Sequence, residues 1–76
     1  MKITISATNK IVELNGVPAR VWEGETEHGV PVHCFITRIA VPEGLHPSRY
    51  EQFEAELAEQ QKPSVAIDVI PLRLVL

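Results

Sequence analysis

The dipeptide Asn15-Gly16, set between the apolar runs Ile11–Leu14 and Val17–Trp22, constrains this 76-residue chain more than any other feature. A two-residue type I′ turn needs positive φ at both central positions, which Asn and Gly tolerate and most residues do not. The dipeptide therefore predicts an antiparallel hairpin. On its returning strand Val17, Ala19 and Val21 share one face, and Pro18, Arg20 and Trp22 share the other. Pro18 has no amide to donate, so it belongs at an edge or a non-bonded position beside the turn.

Other segments extend the sheet. Lys2–Ser6 alternates, with Ile3 and Ile5 on one face, and a second turn is expected around Glu27-His28-Gly29. Val30–Val41 is the longest strand candidate. Its apolar positions switch parity near Thr37-Arg38, which fits either a bulge or burial on both faces. Ser48, followed three residues later by Glu51, reads as a capping box that opens a helix running to about Gln61. Tyr50, Phe53 and Leu57 form its narrow apolar stripe, and Lys62-Pro63 stops it. The tail from Ser64 to Leu76 alternates in two phases around Pro71. The expected fold is a single α+β domain over residues 1–76 in the order β-β-β-β-α-β, an antiparallel sheet of about five strands with one helix packed on one face. One helix cannot cover both faces of such a sheet, and the apolar end Leu72–Leu76 is unusual for a frayed terminus. A homodimer is expected.

Composition removes several function classes. Apolar residues make up 45% of the chain and charged residues 22%, which excludes a disordered tail. No apolar run approaches the roughly 18 residues of a membrane span. The single cysteine excludes an intrachain disulfide. Lys2 is followed by Ile-Thr-Ile-Ser rather than a long apolar core, so no signal peptide is expected and the setting is reduced and cytoplasmic. The net charge is −3, and the seven Lys and Arg are scattered singly. Without a basic cluster, direct binding to nucleic acid is not expected.

The residues with ligand or nucleophile chemistry are His28, His33, Cys34 and His46. Neighbours on a strand point to opposite faces, so His33 and Cys34 cannot readily share a metal ion. Cys34 reads as a small core residue, His33 as solvent-facing, and the other histidines as turn and loop residues. The serines lack a nucleophile elbow and the glycines lack a phosphate-loop spacing. No catalytic residue, cofactor or metal is expected. The carboxylates are more informative: Glu23, Glu25 and Glu27 sit at alternate positions just after the strand Val17–Trp22 and, if extended, project from one face as a hairpin rim, with Arg20 and Trp22 nearby. These five residues are the candidate protein-binding surface, an acidic rim suited to a basic partner with an aromatic anchor. Glu51, Glu56 and Glu59 of the helix offer a second acidic patch. The alternative is a small-ligand protein that sequesters a nucleotide signal between subunits, with Arg20, Arg38 and Arg73 on the phosphates and Trp22 or Tyr50 beside the base.

The stretch Asn15–Gly24 (NGVPARVWEG), its continuation Gly29–Val41 (GVPVHCFITRIAV) and Ile70-Pro71-Leu72-Arg73-Leu74 resemble small uncharacterised proteins encoded by bacteriophages and prophages. The likeness covers roughly half the chain and carries no activity or catalytic motif with it. It implies a bacterial cytoplasm and an accessory role directed at a host or phage protein.

Overall fold

A computed structural model describes residues 1–64. Within them β1 (Ile3–Leu14), β2 (Val17–Thr26) and β3 (Pro31–Ile36) form an antiparallel sheet in the order β1-β2-β3, followed by the helix α1 (Pro47–Leu57). The architecture is α+β with an antiparallel sheet. Among the described residues that sheet has three strands rather than about five. Lys2–Ser6 and Ile11–Leu14, expected as separate strands, belong to one continuous β1. The strand expected after Ser64 falls at residues 65–76, outside those described.

Both hairpins follow from their turn residues. Asn15 and Gly16 adopt φ of 51° and 81°, and Leu14 stands opposite Val17. In the second turn the Thr26 amide donates to Val30 O at 2.9 Å and the Gly29 amide donates to Thr26 O at 3.0 Å. Gly29 is left-handed at φ 80°, which is the three-residue loop built on a type I turn. β3 ends at Ile36, so the parity switch near Thr37-Arg38 marks the end of the strand rather than a bulge or a two-sided strand.

The continuity of β1 depends on a bulge. Pairing with β2 shifts between Ala7 and Ile11, so Thr8, Asn9 and Lys10 stand opposite Val21 alone. Such an insertion breaks the ladder and would strand the carbonyl of Val21. The Thr8 hydroxyl replaces the missing donor, at 2.7 Å from Val21 O, and itself accepts from the Lys10 amide at 3.2 Å. Arg20 Nη1 adds a bond to Thr8 O at 2.9 Å. Thr8 and Val21 are both fully buried.

Directly opposed residues share a face. The register places Val12, Ala19, Val21 and Phe35 on one face, together with Ser6, Glu23 and His33. The buried pair Ala19 and Val21 therefore marks the core side. Ile5, Ile11, Trp22, Cys34 and Ile36 occupy the other face, with Arg20.

The helix departs from expectation at both ends. His46, not Ser48, is the N-cap: its Nδ1 accepts the Ser48 amide at 3.2 Å, with Pro47 in the first turn. The last helical residue is Leu57, four short of Gln61. Gln61 is instead drawn to the outer edge of β1, where its amide donates to Ala7 O and its carbonyl accepts from Asn9. Nor does α1 lie packed across the sheet, since none of its residues is buried. Tyr50 and Phe53 are half-buried and border the preceding loop: the Tyr50 hydroxyl donates to Pro42 O and accepts from the Leu45 amide, each at 3.3 Å.

Candidate protein-binding surface

The five residues singled out from the sequence divide between the two faces of the sheet. Glu23 and Glu25 lie on the core side, opposite Ser6 and Thr4 of β1, whereas Arg20 and Trp22 lie on the other. Glu27 sits in the exposed turn, its carboxylate 3.5 Å from His28. Glu25 and Glu27 are exposed; Glu23 is not, with a side chain only 12% accessible.

Glu23 holds the chain that crosses the edge of β1. Its carboxylate accepts the Ser64 amide at 3.1 and 3.2 Å, the Ser64 hydroxyl at 3.0 Å and the Gln61 side-chain amide at 3.4 Å. His33 Nε2 stands 3.9 Å from Glu23 Oε2 and is buried without a hydrogen-bond partner among the described residues. His33, expected on the solvent side, instead has its ring half-buried against this carboxylate. Serine hydrolysis requires the imidazole on the serine hydroxyl, with the carboxylate behind it. Here the carboxylate contacts both groups, so the arrangement is a structural tie and does not activate Ser64.

Arg20 and Trp22 meet in a groove on the opposite face. It has a volume of about 270 Å³, with Ile11, Ile36, Ile39 and Leu57 completing its walls and Arg38 exposed at its rim. Ile11, Ile39 and Leu57 are 48%, 43% and 48% accessible. β1 supplies Ile11, β2 supplies Arg20 and Trp22, and β3 supplies Ile36; the following loop adds Arg38 and Ile39, and the last turn of α1 adds Leu57. An aromatic ring, four large aliphatic side chains and two guanidinium groups thus converge on one groove. Alternation put Arg20 and Trp22 on one face, as the register does, but carried no signal for Ile11, Ile39 or Leu57, the last two arriving from outside the sheet.

His28 is exposed and Cys34 is half-buried on the groove face, opposite in direction to His33. Among the described residues no three His, Cys, Asp or Glu side chains come together as a metal site. No helix among them is long and apolar enough to cross a membrane. Comparison with protein-family models, with curated proteins and with solved structures finds no match to this chain.

Proposed function

We propose that this chain is a non-enzymatic protein-binding module that works as a homodimer, in an accessory phage or prophage role within a bacterial cytoplasm. The observation that carries the reading is the groove around Trp22. Large aliphatic side chains left about half accessible, grouped beside an indole and arginines, have the composition of an interface core rather than of ordinary surface. The partner it fits is a host or phage protein segment with apolar anchors and an acidic flank, set against Arg20 and Arg38. Glu25 and Glu27 add an exposed acidic corner, suited to a basic region of the same partner. The test is capture from a bacterial host lysate. Leu57→Asp and Ile39→Asp, both at accessible positions, abolish capture while leaving the melting temperature within a few degrees of wild type. Glu25→Lys with Glu27→Lys weakens it. Capture unchanged in Leu57→Asp and Ile39→Asp contradicts the groove.

A second reading rests on the meeting of Arg20, Arg38 and Trp22, which is the chemistry of a nucleotide site: guanidiniums for phosphate, an indole for the base. About 270 Å³ in one subunit lies just below the roughly 300–1,000 Å³ usual for small-molecule sites, so the protein partner is preferred. A thermal-shift series with nucleotides separates the two readings, since a binding nucleotide raises the melting temperature and a non-binding one leaves it unchanged.

A further inference from the structure

The two edges of the sheet are unlike. The outer edge of β1 is broken by the bulge at Thr8–Lys10 and occupied at that point by Gln61. β3 has none of these devices: Pro31-Val32-His33-Cys34-Phe35-Ile36 carries no Lys, Arg, Asp or Glu, and its register with β2 runs without a shift. Among the described residues nothing pairs with its outer side. Natural edge strands are ordinarily blunted by charge, proline, bulge or cover; Pro31 blunts only the start of β3, and Val32–Ile36 is left as an uncharged straight edge that can template another strand.

The hydrogen-bond phase of β3 shows which groups that edge offers. The Thr26 amide donates to Val30 O, so Thr26 and Val30 form a bonded pair of the antiparallel ladder. Bonded pairs alternate with non-bonded ones. Val32, Cys34 and Ile36 therefore spend their backbone groups on Gly24, Trp22 and Arg20, while Pro31, His33 and Phe35 point theirs outward. Proline has no amide, so the outward donors within β3 are those of His33 and Phe35.

We infer that β3 pairs antiparallel with β3 of a second copy about a two-fold axis at Cys34. The inference rests on the dimer proposed above and assigns its seam. A two-fold axis can pass beside any residue of the strand, but only some choices match donors to acceptors. With the axis at Cys34, His33 of each copy faces Phe35 of the other, and both residues exchange both of their hydrogen bonds. With the axis at His33, Phe35 faces Pro31, and the carbonyl of Phe35 loses its donor. With the axis at Phe35, Pro31 passes beyond the end of the opposing strand. The Cys34 axis satisfies every outward donor of β3. It also sets Val32 against Ile36 on the groove face, an apolar pair in each half of the seam. The result is a continuous sheet ordered β1-β2-β3-β3-β2-β1, with both grooves on the same side and available to one elongated partner.

This register brings the two Cys34 residues together as a non-bonded pair, whose Cα atoms stand about 4.5 Å apart. Amide hydrogen exchange on the wild-type protein, read at concentrations above and below its self-association, tests the seam directly. The His33 and Phe35 amides are expected to slow by about tenfold or more in the associated sample and to recover on dilution. A short bis-maleimide is expected to join the two chains through Cys34 in the associated sample and not in the diluted one. His33→Pro, which removes an outward amide without touching the ladder to β2, is expected to give a folded chain of single mass. A doubled mass with fast His33 and Phe35 exchange overturns the β3 seam while leaving the dimer standing. A single mass at every concentration overturns both.

Discussion

At the scale of single residues, Thr8 and Gly24 bear the most structural weight, and neither announces itself in the sequence. Thr8-Asn9-Lys10 falls between the expected strands Lys2–Ser6 and Ile11–Leu14. The pairing shift adds two residues to β1, and an even insertion leaves the alternation of Ile3, Ile5, Ala7 and Ile11 unbroken, so the bulge is invisible to any pattern of apolar positions. Because its hydroxyl stands in for a ladder amide in a fully buried position, Thr8→Val is expected to cost about 1–3 kcal/mol in urea unfolding. Thr8→Ser should retain most of that stability. Gly24 reads as a turn glycine but lies inside β2, where a Cβ would run into Thr4 O and sit 2.8 Å from Ile5 Cα. The backbone of β1 cannot yield as a side chain can, so Gly24→Ala is expected to destabilise by about 2 kcal/mol or more, read in the same urea titration.

At the scale of elements, the parts of the fold legible in advance are those written in local chemistry. The Asn15-Gly16 hairpin, the faces of β2 and the turn at Gly29 follow from backbone preferences and period-two alternation. The helix was legible in its existence but not in its ends. A capping box at Ser48 and Glu51 competes with Pro47, which suits the first helical position and moves the cap back to His46. His46→Ala is therefore expected to lower stability more than Glu51→Ala, by about 1 kcal/mol or less at so exposed a site, in urea unfolding followed by circular dichroism at 222 nm. The helix stops early for a tertiary reason: Gln61 is committed to the edge of β1 and Ser64 to Glu23. No local signal marks that commitment, since Glu23 reads as one of three alternating surface acids. Glu23→Ala is expected to free the crossing segment, speeding amide exchange at Gln61 and Ser64 while β2 and β3 stay protected.

At the scale of the whole molecule, the candidate surface was half legible. Arg20 and Trp22 do share a face, but the acids expected beside them do not join it: Glu23 turns to the core side and is consumed by Ser64 and Gln61. The groove that replaces the acidic rim needs Ile39 and Leu57, residues brought in by a loop and a helix end whose positions no strand pattern encodes. The apolar surplus of the sequence sets the expectation of two copies; among the described residues the unpaired outer side of β3 and the accessible groove on the same sheet support that proposal. In the proposed pairing a second copy at β3 would set the two grooves side by side. Sedimentation equilibrium across a dilution series tests this most directly. The account predicts a mass of twice the 8.5 kDa chain that falls to the single value on dilution. A mass of one chain throughout the series would contradict it.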